Sequence, residues 1–139
     1  LTTVQKRTMK RRSTENTEAY QLYLKGRFFW SKRNKEALET AIRYFEEAIK
    51  KDSRYALAWA GLSDAYNLLS EYGGITRKET YPKAKAAVDR ALELDGQLAE
   101  ARTSLASVMM LDEWDWVNAE KEFKLAIYLN PNYAAARHW

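Results

Sequence analysis

Residues 41–66 read AIRYFEEAIKKDSRYALAWAGLSDAY, and the pattern of this stretch decides the fold. Apolar residues fall at helical spacing twice, first at Ala41, Phe45, Ala48 and Ile49, then at Trp59, Leu62 and Tyr66. The polar run Lys50, Lys51, Asp52, Ser53 and Arg54 separates the two sets. The stretch therefore predicts a helix, a tight turn and a second helix. Ala41 and Ala48 flank the bulky Phe45 on one face, so a neighbouring helix can approach closely and receive the ring between them.

The same pattern returns as Ala84, Val88 and Ala91, then Asp95-Gly96, then Leu105 and Met109. It returns again as Ala119, Phe123 and Ala126 followed by Asn130-Pro131. The step from Ala48 to Leu62 equals the step from Ala91 to Leu105, at 14 residues each, so the connection between repeats has a fixed length. Within the repeats the spacing varies: Phe29 to Ala41 is 12 residues, Tyr66 to Ala84 is 18, and Met109 to Ala119 is 10. A loop on one side is expected to absorb these insertions.

At these residues the sequence resembles the tetratricopeptide repeat. That unit of about 34 residues carries Trp, Leu-Gly and Tyr on one helix and Ala, Phe, Ala and a turn Pro on the next. Leu22, Gly26 and Phe29 with Ala41, Phe45 and Ala48 make the first unit. Trp59, Leu62 and Tyr66 with Ala84, Val88 and Ala91 make the second; Leu105 and Met109 with Ala119, Phe123, Ala126 and Pro131 make the third. Ser63 and Ala106 stand where the family prefers Gly, Ser53 and Gly96 replace the turn Pro, and Arg102 replaces the aromatic. The resemblance implies an all-α fold, a right-handed α-solenoid of three helix pairs plus the first helix of a fourth. The units are expected at about 19–55, 56–98 and 99–133, with a partial fourth at 134–139. They form one array over residues 16–139, preceded by a linker or the tail of an upstream domain at residues 1–15.

A second resemblance lies in TENTEAYQLYLKGRFFWSKR, YALAWAGLSDAYNLL and EWDWVNAEKEFKLAIYLNPNYA. These strings look like the repeat arrays of large bacterial regulators, in which a winged-helix or protein-kinase domain is joined to such an array. The chain starts at Leu1 without Met and stops at Trp139 within an expected helix, so it reads as a piece of a longer, cytoplasmic protein.

Composition bounds the chemistry. With 139 residues, 46% apolar and 13% aromatic, the chain can bury an ordinary core. It has no cysteine, which excludes disulfides and thiol chemistry, and no apolar run approaches the roughly 18 residues of a membrane span. The net charge of +4 is concentrated at the start, where Lys6, Arg7, Lys10, Arg11 and Arg12 face only Glu15 and Glu18. A basic run of this kind is most often a solvated tail, and nucleic acid is not an expected partner.

Local signals set the helix ends. Asn16 or Thr17 caps the first helix, Gly73-Gly74 closes the helix containing Tyr66, and Asp115 caps the helix that follows LDEWDW. Thr76 to Glu79 matches a capping box, but Pro82 suits a first turn, so a helix starting at Pro82 after a short turn is expected. One or both of Trp114 and Trp116 are expected to plug the gap between the two helices of the third unit, the alternative being a partner-binding role.

Catalysis has no support. His138 is the sole histidine, without an acid or nucleophile at a motif spacing; Asp112, Glu113 and Asp115 lack the alternating ligands and Gly of a calcium loop. No catalytic residue, metal or cofactor is expected. What remains is the groove that a stacked helix-pair array offers to a segment of another protein. The resemblance places Tyr20, Tyr23, Arg27 and Trp30, then Leu57, Asp64, Asn67 and Leu68, then Glu100, Thr103, Ser107 and Met110 on its wall. One subclass of these repeats grips the carboxylate of chaperone tails with a Lys-Asn-Asn-Lys-Arg set. The matching positions here are Tyr23, Arg27, Gly61, Glu100 and Ser104, and Glu100 would repel an anionic tail. The expected partner is a neutral or amphipathic protein segment, or another domain of the parent. The alternative is a spacer or self-association module, with Ala135, Ala136 and Trp139 of the last helix as its apolar contact.

Overall fold

A computed structural model describes residues 14–133. The basic run of the linker and the partial fourth unit, including Ala135, Ala136, His138 and Trp139, lie outside the described residues. Among the described residues there are six helices and no strands. They are α1 (Thr17–Trp30), α2 (Lys35–Lys51), α3 (Ala56–Tyr72), α4 (Arg77–Leu94), α5 (Ala99–Leu111) and α6 (Trp116–Leu129). Each antiparallel pair packs on the next: α1 with α2, α2 with α3, α3 with α4, α4 with α5 and α5 with α6. The first helices also touch, α1 against α3 and α3 against α5. Phe45 and Phe123 sit in separate buried clusters, so the chain is a helical-repeat solenoid with no common centre.

The fixed spacing between repeats has a local cause. At each junction an Asp or Asn side chain folds back on the backbone: Asp52 accepts from the Arg54 amide at 3.1 Å, Asp95 from the Gln97 amide at 3.0 Å, and Asn130 from the Asn132 amide at 3.2 Å. The amide of the next residue then closes the turn, Tyr55 onto the Asp52 carbonyl, Leu98 onto Asp95 and Tyr133 onto Asn130. The acidic or amide side chain makes the turn by itself, which is why Ser53 and Gly96 serve where the third unit has Pro131.

The variable spacing has a different cause from the one expected. The connections inside the three pairs, residues 31–34, 73–76 and 112–115, are all of one length. The helices absorb the difference instead: α3 and α4 have 17 and 18 residues, α5 and α6 only 13 and 14. Extending a helix pairs each added amide internally, whereas a longer loop would leave them to be satisfied by water. The same economy corrects the reading of Pro82. It lies inside α4, which starts at Arg77 after Thr76, and the Thr76 side chain makes no capping bond. Proline there costs only the bond to the Lys78 carbonyl, one turn from the helix start.

Phe45 is the central packing element. Its ring is fully buried, and a Cβ built on Gly26 of α1 or Gly61 of α3 would each stand 2.5 Å from its Cε1. Two glycines on two helices thus clasp one ring. Arg102 shows how a departure from the repeat pattern is accommodated. Trp59 donates its indole N–H to the Ser53 carbonyl at 3.0 Å, and Arg102 donates Nε–H to the equivalent Gly96 carbonyl at 2.9 Å while pairing with Glu122 at 3.3 Å. Arg102→Met is therefore expected to cost about 1–2 kcal/mol in urea unfolding, while Arg102→Trp stays within about 1 kcal/mol because the same carbonyl keeps its donor.

Trp114 and Trp116 do not fill the gap between α5 and α6. They are 74% and 56% exposed and meet each other edge to face with centroids 6.4 Å apart. Trp114 takes a left-handed backbone (φ 56°) in a loop tied to α4 by Arg77 to Asp112 (3.3 Å) and Tyr81 to Glu113 (2.7 Å). Phe123, Ala106 and Ala119 already close the interior of that pair. As expected, Asn16 caps α1, Asp115 caps α6 and Gly74 takes positive φ after α3. No helix of the described residues is long and apolar enough to cross a membrane.

Candidate functional site: the wall of the first helices

The helices α1, α3 and α5 share one wall, and a single carboxylate joins all three. Asp64 on α3 accepts from Arg27 Nη1 of α1 at 2.8 Å and from Ser104 Oγ of α5 at 2.6 Å. Arg27 also donates Nε–H to the Tyr23 hydroxyl at 3.0 Å, and its guanidinium carbon lies 5.0, 5.5 and 5.8 Å from the ring centroids of Trp30, Tyr23 and Phe45. The cation is held by aromatic faces on α1 and α2 and by an anion on α3. Tyr23 in turn packs on Phe45 and Tyr55, at 5.8 and 5.5 Å.

Burial pushes the Asp64 carboxyl above its ordinary value of 3.8, an effect that outweighs what Arg27 and Ser104 return. Burial opposes the Arg27 charge as well, but Tyr23, Asp64 and Tyr133 hold it above its ordinary range, so it remains a cation. A raised carboxyl pKa means that Asp64 contributes stability below pH 3.8 that is lost as pH rises through its folded-state pKa. Relative to Asp64→Asn, the native chain is expected to lose stability as pH climbs above 3.8, read by paired urea titrations; a relative gain would show that the pairing with Arg27 dominates instead.

Two hollows lie on this wall. One, of about 540 Å³, is lined by Trp30, Arg33, Asp64, Asn67, Leu68, Glu71, Thr103, Ser107, Leu111 and Tyr133. The other, of about 470 Å³, is lined by Tyr20, Tyr23, Leu24, Arg27, Trp30, Leu57, Glu100 and Tyr133. Tyr133 stands on both, and burial raises its phenol above the ordinary range. Of the residues expected on the groove, all but Met110 line one hollow or the other. Their roles differ from a uniform binding surface. Tyr23 and Leu57 are core residues whose edges reach the hollow, and Arg27 and Asp64 engage each other.

Several buried polar atoms lack a partner, among them Ser63 Oγ and the Tyr55 hydroxyl, but Asn67 leaves both polar atoms of its side chain unspent. It is 4% exposed, and neither its Nδ2 nor its Oδ1 has a hydrogen-bond partner in the protein. Beside it, the Trp30 indole N–H lacks a partner too. Thr103 and Ser107 spend their hydroxyls on carbonyls of their own helix, Thr103 on Ala99 at 3.0 Å and Ser107 on Thr103 at 3.1 Å. An unspent amide and an unspent indole donor therefore lie just beneath the surface of the larger hollow, their polar atoms covered, among a mixed lining of Trp30, Leu68 and Leu111 with Arg33, Glu71 and Thr103.

The expected groove set lacks Leu24, Arg33, Glu71, Leu111 and Tyr133, and Ser104 appears in the sequence reading only among the positions matching the carboxylate-gripping set. A signal existed for Ser104. Arg27 and Asp64 occupy the same place in successive repeats with opposite charge, and Ser104 stands one turn before the matching Ser107 on the next first helix. Tyr133 repeats Tyr55 at the turn before a first helix, but its place on the wall depends on how repeats stack.

No protein-family model matches the sequence, and no curated protein matches it. Among solved structures, the chain is similar to one described as the first TPR of Spaghetti (RPAP3) bound to the HSP90 peptide SRMEEVD. The two superpose with a TM-score of 0.66 at 16% sequence identity, covering 90% of this chain and 92% of that one. What the two share at this distance is the fold, a tetratricopeptide-like solenoid of helix pairs.

Proposed function

We propose that the chain is a non-catalytic protein-interaction module that binds an extended segment of a partner along the wall of α1, α3 and α5. The observation that carries this reading is Asn67: a buried side-chain amide with both polar atoms unspent is costly unless a ligand or solvent supplies its bonds. Both atoms are covered in this structure, so a ligand meets them once the side chain turns into the hollow, where the amide offers N–H donors and a carbonyl acceptor to the backbone of an extended segment. The apolar surfaces of Trp30, Leu68 and Leu111 around it suit one bulky side chain of that segment.

The ligand differs from that of the structural neighbour. That protein's peptide, SRMEEVD, carries two Glu and ends in Asp. Here Tyr23, Gly61 and Glu100 stand where the anion-gripping subclass has Lys or Asn, and the cation of Arg27 is engaged by Asp64. A neutral or amphipathic segment fits this wall better than an acidic tail. The setting of the module in a larger cytoplasmic bacterial regulator rests on the resemblance of its sequence to such arrays.

The test is selection of a displayed random-peptide library on the chain, followed by anisotropy titration of the recovered peptides. Asn67→Ala is expected to weaken binding about tenfold, while Lys124→Ala on the exposed side of α6 leaves it unchanged. Recovery of no binding peptide, or equal affinity for Asn67→Ala, would overturn the reading.

A further inference from the structure

The two hollows on the wall are neighbours, and the same two side chains stand on both. Trp30 comes from the end of α1 and Tyr133 from the turn after α6, yet each lines the larger and the smaller hollow alike. Residues common to two adjoining hollows form the ridge between them. Tyr133 reaches that place from the third unit. It packs with Ala99 and Ala126 at its base, while its phenol lies near enough to Arg27, Asp64 and Glu100 to feel their charges. Trp30 lies between guanidinium groups, with the carbon of Arg27 at 5.0 Å and that of Arg33 at 5.7 Å from its ring centroid. Among the described residues no hydrogen bond holds the Tyr133 hydroxyl, so the ring itself makes this part of the ridge.

The size of the hollows sets the spacing of whatever lies across them. Volumes of about 540 and 470 Å³ make each hollow roughly 10 Å across, so two anchors seated one in each stand at least ~10 Å apart. An extended segment rises about 3.3 Å per residue and alternates its side chains, so residues i and i+2 lie only ~7 Å apart on one face and residues i and i+4 ~13 Å. The second spacing spans the two hollows. Residue i+2 then points at the ridge, where the rings of Trp30 and Tyr133 leave it little room.

Resting on the reading that this wall binds an extended segment, the geometry points to a partner segment with bulky residues at i and i+4 and a small one, Gly, Ala or Ser, at i+2, Tyr133 being the residue that sets the size allowed there. Charge gives the segment its direction. The larger hollow seats one anchor between Leu68 and Leu111, and its rim carries Arg33, which has no ion pair among the described residues, whereas Glu71 is bonded to Arg77 at 3.3 Å. The smaller hollow seats the other anchor on the edges of Tyr23 and Leu57, beside the carboxylate of Glu100 and with Arg27 engaged by Asp64. An acidic flank therefore suits the end that enters the larger hollow and is repelled at the smaller one.

A displayed random-peptide library selected separately on the native chain, on Tyr133→Phe and on Tyr133→Ala tests this. Peptides recovered on the native chain and on Tyr133→Phe are expected to share the bulky, small, bulky pattern at i, i+2 and i+4. Enlarging the central residue of such a peptide to Leu should weaken binding at least about tenfold on both chains, read by anisotropy, and less than about twofold on Tyr133→Ala, which has no ring to meet it. Recovered peptides without the pattern, a central Leu that the native chain tolerates, or a penalty that Tyr133→Ala retains would each overturn the inference and leave the binding of an extended segment standing. Peptides recovered on Tyr133→Ala alone would overturn it as well, making the ring a plug of the groove. If none of the three chains recovers a peptide, the binding of an extended segment falls, and the inference with it.

Discussion

Phe45→Ala is expected to lower the unfolding free energy by about 3–5 kcal/mol, the upper range for a single core truncation. The ring is fully buried, and the two helices that clasp it do so with glycines, Gly26 and Gly61. Neither has a side chain that could lean into the space left behind, so the cavity stays open unless α1 and α3 themselves move. The reverse experiment isolates the same fit. Gly61→Val in the native background overfills the site, because the ring is backed by Tyr23 at 5.8 Å and cannot retreat, and a loss of about 1–3 kcal/mol is expected. Combining Gly61→Ala with Phe45→Leu should recover part of the loss of either change alone, since total volume is then nearly kept. Urea denaturation of these variants beside the native chain measures all of these; additive losses would show that the ring and the glycines do not share one space.

Asp64→Ala is expected to cost about 3–5 kcal/mol, more than the pair of Arg27 and Asp64 contributes when intact. Removing the carboxylate leaves Arg27, mostly buried against Tyr23, Trp30 and Phe45, without its anion, while Ser104 falls back on the Glu100 carbonyl at 2.9 Å. Replacing both partners by apolar residues of similar volume, Arg27→Met with Asp64→Leu, is expected to fall within about 1–2 kcal/mol of the native chain, because no charge is then stranded. The comparison separates two roles. If the double variant keeps its stability but changes its affinity for selected peptides, the buried pair sets the shape of the wall and contributes little to holding the fold. A double variant as unstable as Asp64→Ala would mean that the pair supplies net stabilisation, against the usual balance of desolvation and attraction.

The repeat, the helix pairs and the turns between them were legible in the sequence because each depends on residues close together in the chain. The alternation of Ala, Phe and Ala at three- and four-residue steps fixes which face of a helix is buried, and the Asp or Asn at each junction makes its turn from its own side chain. Where competing local signals were close in energy, the nearest one misled. Pro82 looked like a helix start, yet extending α4 back to Arg77 satisfied more backbone amides than a turn would. Bulk alone suggested that Trp114 and Trp116 were buried, but nothing local reveals that Phe123, Ala106 and Ala119 already occupy that interior.

The sequence by itself determined that the chain is a stack of helix pairs and which side chains face inward, since amphipathic periodicity acts within one helix at a time. The tertiary structure alone decided what the wall residues do. Arg27, Asp64 and Ser104 come from three helices and up to 77 positions apart in the chain, so only the angle at which the repeats stack brings them to one carboxylate. The same stacking left the amide of Asn67 unspent.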